Sequence, residues 1–161
     1  MGITSLYEPM DVYSGLEIDP EVSTIDLNDV VFYLKTLKAP IQRDKYNPDL
    51  QADEYIFVSL NCSGCHNPKL QASDSRIPQL ANKAIHPYTD LLLHDMGPML
   101  DDGYTEGYAL TSEWKTPALW GLGFSKDTQG GSYFLLHDGR ATSIESAINY
   151  HGGEAEQSKI G

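Results

Sequence analysis

The stretch NCSGCHN, residues 61–67, holds both cysteines of the chain and sets a histidine directly after the second. A C-x-x-C pair serves three chemistries. A redox dithiol needs it at a helix start in a strand, helix, strand setting; structural zinc needs a second pair of ligands; a c-type haem needs the adjacent histidine. The sequence holds no second C-x-x-C and no H-x(3–5)-H pair to complete a tetrahedral zinc shell. Nor does its neighbourhood alternate strand and helix, and a redox dithiol gains nothing from His66. In the haem reading every residue has a role: the Cys62 and Cys65 thiols add across two porphyrin vinyl groups, and His66 is the proximal iron ligand. This predicts one covalently bound haem c. A haem-free or zinc-binding structural domain is the alternative.

The second axial position decides what such a haem does. A methionine raises the potential and favours electron transfer, a second histidine lowers it, and an open position admits a small molecule such as peroxide. The chain offers Met1, Met10, Met96 and Met99 and, besides His66, the histidines 86, 94, 137 and 151. In LLLHDMGPML, Met96 precedes Gly97 and Pro98, a turn able to present a thioether to a buried metal, and is the first expectation. Met99 and His94 are the alternatives. His86 and His137 precede turn residues and read as structural histidines, bonded to a backbone carbonyl or a haem propionate. Arg140, beside a glycine in HDGRAT, has the bidentate fork that holds a propionate, although a solvated arginine fits the same pattern.

The elements that must position these residues are few. Leu27, Val30, Val31, Leu34 and Leu37 share one face of a helix that Asp26 can cap, with Asp29 at its third position, and that Pro40 ends. APIQRDKYNPD reads as a linker, and LQADEYIFVSLN as a helix delivering the chain to Cys62. Residues 67–87 read as irregular coil, YTDLLLHDM as a short helix or strand, and the glycine-rich pieces at 97–107 and 121–132 as loops. In TSIESAINYHGG, Thr142 and Glu145 form a capping box and Gly152 with Gly153 closes the helix, placing His151 on its buried side with Ile144, Ala147 and Ile148. So much coil buries little surface by itself. A haem, as an apolar core, removes the difficulty.

With 161 residues, the chain suits one domain, or one domain with part of a neighbour, and 40% hydrophobic residues suffice for a core. A net charge of −12, from 11 basic and 23 acidic residues, argues against nucleic acid and anionic membranes and would steer a basic redox partner. No apolar run reaches the length of a membrane span, and MGITSLYEPMD lacks the basic start and apolar stretch of a signal peptide. Because covalent haem attachment in bacteria is completed outside the cytoplasm, the natural protein is expected in the periplasm or otherwise exported. Met1 and Gly2 then read as an artificial start.

CSGCH, IHPYTDLLLHDMGPMLDDG, EWKTPALWGLG and FLLHDGRATSIESAINYHGGEA, taken in order, resemble the C-terminal haem domain of the di-haem oxidoreductase family. That family is related to the bacterial di-haem cytochrome c peroxidases. The resemblance runs from about residue 50 to residue 155, and several long motifs agreeing together are far more specific than C-x-x-C-H alone. It implies a mainly α, cytochrome c-like domain with few helices and long loops wrapped around a haem. Residues 41–161 would form that domain, truncated at its C-terminal end, and residues 1–40 the tail of a preceding haem domain with its closing helix. The helix at 26–38 is then expected to pack near the helix that ends in Cys62, in its own chain or in a second copy.

The resemblance also implies divided labour: one haem reduces peroxide, and the other, His/Met ligated, relays electrons from a donor. The second haem belongs to a domain absent from this chain, so the fragment is not expected to be an active peroxidase alone. By matching motifs, Cys62, Cys65 and His66 attach the haem and Met96 is its sixth ligand. Trp114, Thr116, Pro117 and Trp120 line it, and His137, Asp138, Gly139 and Arg140 lie near its propionates. A catalytic haem with an open or histidine-ligated sixth position is the rival reading.

Overall fold

In a computed structural model, residues 3–11, 15–17 and 19–159 are described. Met1 and Gly2, the expected artificial start, lie outside them. The chain divides into two compact units, Met1–Lys38 and Ala39–Gly161.

In the first unit, Thr4 is fully buried. Its amide donates to the Glu21 carboxylate at 3.0 Å, and its carbonyl accepts the Glu21 and Val22 amides at 3.1 and 3.2 Å. Helix α1 (Thr24–Thr36) begins at Ser23, whose hydroxyl accepts the Asp26 amide at 3.1 Å and donates to the Asp26 carboxylate at 2.6 Å. The cap is thus Ser23, and Asp26 is the acidic residue of the first turn. Leu37 turns extended ahead of Pro40. Val31 and Leu34 are exposed, Leu27 is half-buried and no residue of α1 is fully buried.

The second unit opens with α2 (Pro48–Ser59), capped by Asn47, whose side chain accepts the Asp49 amide at 3.0 Å, with proline at the first helical position. Asn61 then takes a left-handed conformation, φ 59°, and a 3₁₀ turn, Cys62–Gly64, follows. Two small antiparallel ladders come next. Strand β1 (Leu70–Gln71) pairs with β2 (Ala84–Ile85), and β3 (Leu93–Asp95) pairs with β4 (Glu113–Lys115), His94 opposite Trp114. Helix α3 (Leu122–Thr128), helix α4 (Ile144–Tyr150) and a 3₁₀ segment, Gly153–Lys159, complete the unit. Among the described residues no helix is long and apolar enough to cross a membrane.

The expected mainly α architecture is not what forms. The described residues are 32% helical and 9% strand, a small mixed α/β domain with antiparallel sheets. The segment YTDLLLHDM shows why. Thr89 Oγ1 accepts the Leu91 amide and the Asp90 carboxylate accepts the Leu92 amide, both at 2.9 Å, diverting the donors a helix would use. Leu91 adopts φ 65°, and the chain leaves extended as β3.

The hydrophobic core is slight. Among the described residues the buried apolar side chains are Leu100, Ala141 and Ala155. The frame around them is polar: buried Thr89 donates to the carbonyl of buried Thr116 at 2.7 Å, tying the segment before β3 to the end of β4.

Candidate functional site

Helix α2 and the left-handed Asn61 set up a tight C-x-x-C-H turn. The Gly64 amide donates to the Asn61 carbonyl at 3.1 Å and the His66 amide to the Cys62 carbonyl at 3.0 Å. Both cysteines are free and half-buried. Burial raises the Cys62 thiol pKa; burial and the negative charges of Asp90 and Glu154 raise that of Cys65. A redox dithiol lowers its attacking thiol instead, so the pair lacks that signature.

His66 is aimed by one bond. Its Nδ1 donates to the Tyr88 carbonyl at 3.0 Å, which assigns the proton to Nδ1 and leaves Nε2 with a lone pair. Tyr88 is itself held at φ 56°, and its ring meets Phe57 edge-on with centroids 5.7 Å apart. Burial, opposed by the Tyr88 hydrogen bond, depresses the pKa of His66 and favours the neutral, ligating imidazole.

Near it is His151, at the end of α4. Helix α4 starts at Ser143, whose hydroxyl accepts the Ser146 amide at 3.0 Å; the Thr142 and Glu145 box expected from the sequence is displaced by one residue. The His151 Nδ1 donates to the Ala147 carbonyl at 2.8 Å, and its ring centre lies 6.5 Å from that of His66, the planes tilted by 40°. Neither Nε2 has a hydrogen-bond partner among the described residues, and neither is sealed from solvent.

Two glycines fix where α4 ends. A Cβ on Gly152 would stand 2.8 Å from the Met96 carbonyl oxygen, and one on Gly153, at φ 52°, would stand 2.8 Å from the Gly97 amide nitrogen and strike the Asp95 carbonyl. The turn after His151 is therefore pressed backbone to backbone on the turn after β3. Glu154 fastens the same junction, accepting the Asp95 amide at 3.0 Å and bonding His94 Nδ1 at 2.9 Å.

His94 also bonds Asp90 through Nε2 at 2.7 Å. Carboxylates only accept, so both ring nitrogens carry protons and His94 is an imidazolium; the Glu154 bond, opposed by partial burial and helped by Asp90, raises its pKa. Cys65, Asp90 and His94 do bring donor atoms within 4.8 Å of one another, but a metal there would have to displace a His94 ring proton and break one of its carboxylate bonds. The zinc set considered from sequence, Cys62 with Cys65 and His66, does not converge in this way among the described residues.

A family model described as "Di-haem oxidoreductase, putative peroxidase" matches residues 2–161. The chain belongs to the di-haem oxidoreductase family. No curated protein and no solved structure matches it. Membership brings haem binding with it, and the residues present fit a haem. One imidazole is neutral and oriented, two protonated thiols share its turn, and Leu92, Met99, Trp120, Phe134, Ile144 and Ile148 are exposed while the buried apolar side chains among the described residues are three, Leu100, Ala141 and Ala155. Such a polypeptide leaves a large apolar disc something to pack against.

The remaining residues singled out from sequence fall into separate places. Trp114 is half-buried, donates from Nε1 to the Leu100 carbonyl at 2.8 Å, and stacks on His137 with centroids 3.5 Å apart and planes within 4°. Thr116 is buried, whereas Pro117 and Trp120 are exposed. Arg140 bonds Asp138 through Nε at 2.5 Å and the Met99 carbonyl through Nη1 at 2.7 Å, which engages two of the five N–H groups of its fork. Met96 is half-buried and tied by its amide to the Ser112 carbonyl at 2.9 Å. His86 bonds the Pro68 carbonyl at 3.1 Å, the structural part expected of it. Sequence reading missed Asp90 and Glu154. Their signals were the four-residue spacing of Asp90 and His94 and the acid directly after a double glycine.

Proposed function

We propose that this di-haem oxidoreductase chain carries one haem c and uses it to relay electrons between a donor and a second haem in another domain. The observation that carries the reading is the C-x-x-C-H turn itself, with its thiols free and His66 Nδ1 bound to Tyr88 so that Nε2 is left to ligate. Each attachment is an addition: the sulfur of Cys62 or Cys65 bonds one vinyl carbon, and the thiol proton ends on the other, with no oxidant required. A haem held in this way supplies one-electron storage.

The chain's own residues orient and insulate. Tyr88 holds the His66 ring, Phe57 packs against both, and Trp114, Pro117 and Trp120 supply surface for the porphyrin edge. Arg140, held by Asp138, offers its remaining N–H groups to a propionate beside His137. In this reading residues 1–40 are the tail of a preceding haem domain, the natural protein is exported, and the excess of 23 acidic over 11 basic residues favours a basic donor.

Producing the chain with a c-type haem maturation system and extracting it with acidified organic solvent tests the reading. The haem should stay with the polypeptide, Cys62→Ser with Cys65→Ser should release it, and a wild-type chain that loses its haem on extraction would refute covalent attachment.

A further inference from the structure

We propose that His151 is the second axial ligand of the iron bound by His66, taking the position expected of Met96. The inference rests on the haem reading above and deepens it, because the sixth ligand sets potential and access.

Distance is the first argument. Two imidazoles bound through nitrogen to one metal at about 2 Å each place their ring centres roughly 6.3 Å apart. The His66 and His151 centres lie 6.5 Å apart. Tautomer is the second. Each Nδ1 donates to a backbone carbonyl, Tyr88 at 3.0 Å and Ala147 at 2.8 Å, so each Nε2 keeps its lone pair, and neither finds a protein partner among the described residues. A backbone carbonyl on the distal nitrogen is how a ligating histidine is ordinarily oriented. Position is the third. His151 is fixed from one side by α4 and from the other by Gly152 and Gly153 against the turn after β3.

Two rival histidines are otherwise engaged: His94 is spent on two carboxylates, and His137 lies flat on Trp114. Met96 is a residue of the turn that Gly152 abuts, fastened there by its backbone. With both axial positions filled by imidazole, the haem has a lower potential than a His/Met haem and no site for peroxide. This chain then passes electrons, and the substrate meets the other haem.

The test is optical and magnetic, on the haem-loaded full chain. Ferric wild type should be low-spin without the weak red band of a methionine–iron bond, and Met96→Leu should leave that spectrum unchanged. His151→Ala should turn the iron high-spin, with low spin restored by added imidazole; His151→Met should introduce the red band and raise the midpoint potential. A red band in wild type that disappears in Met96→Leu overturns the proposal while leaving the haem reading intact. Should His151→Ala fail to fold, the wild-type and Met96→Leu spectra decide alone. A chain that takes up no haem despite competent maturation overturns both readings together.

Discussion

Adding a single methyl group at Gly153 should cost more than adding one at either of two other glycines, and the structure says how the cost divides. Gly107 has φ 62° and nothing within 4 Å of a built Cβ, so Gly107→Ala suffers backbone strain alone, about 1–2 kcal/mol. Gly152 has no positive φ, but its Cβ would sit 2.8 Å from the Met96 carbonyl oxygen, so Gly152→Ala suffers the clash alone, about 1–3 kcal/mol for overpacking. Gly153 combines both, φ 52° and contacts with Gly97 and Asp95 backbone atoms that no rotamer change can relieve. Gly153→Ala should therefore cost about 2–5 kcal/mol, the sum of the two terms. Urea unfolding of the three variants, followed by far-UV circular dichroism, measures the order directly. For a chain of this size about 1 kcal/mol moves the melting temperature by about 2–4 °C, so thermal scans should give the same ranking. If Gly153→Ala unfolds within about 0.5 kcal/mol of wild type, the two turns are not pressed together and the placement of His151 loses its anchor.

The His94 cluster should give stability a pH window. His94 is raised above its ordinary 6.5 by the Glu154 bond, so its contribution is complete below pH 6.5 and is lost as pH rises through the raised value. Glu154 is lowered from 4.5 by His94, so its share is present above pH 4.5 and is lost as pH falls through the depressed value. Urea midpoints across this range should fall on the alkaline side in wild type and stay flat there in His94→Gln; parallel profiles would contradict the clamp. His137→Ala should lose the stack on Trp114, a cost of about 0.5–1.5 kcal/mol, whereas Trp114→Phe keeps an aromatic face for the stack and should lose the Leu100 hydrogen bond, about 1 kcal/mol. A Trp114→Phe chain as stable in denaturant as wild type would mean that this bond counts for nothing. The haem-free chain should show weak near-ultraviolet dichroism and rapid amide exchange around α4, sharpening when haem is attached; an apo chain as protected as the loaded one would disprove the haem's part in the core.

The parts legible in the sequence are those whose cause is local. The C-x-x-C-H turn, the helix leading to it and the helix ahead of Gly152 are written in adjacent residues, and each forms, although α2 starts at Pro48, two residues inside the stretch read as a linker. Caps shift by one to three residues because neighbouring hydroxyls and acids compete for the same amides, Ser23 displacing Asp26 and Ser143 displacing Thr142. The ladders were not legible: strands of two or three residues carry no alternation, and the Leu91–Leu93 run is bent by Thr89 and Asp90 side chains. His151 was placed on the inner face of its helix, yet its proximity to His66 depends on glycine contacts with a turn far away in the chain, which periodicity does not record.

These observations share a cause. The polypeptide spends its polar bonds on a frame: Thr89 to Thr116, Glu154 to His94 and Asp95, Trp114 to Leu100, and Tyr88 to His66. Its apolar side chains are mostly left open, with Leu100, Ala141 and Ala155 alone buried among the described residues. A domain that buries so little of its own surface gains its compactness from whatever it binds, because ligand affinity for the folded chain adds to stability. A prosthetic group tied by two thioethers and clasped by two histidines would supply both the apolar surface and the link between the Cys62 turn and α4. The frame would then fix the two imidazoles, the group they share would fix the fold, and loss of either should loosen both.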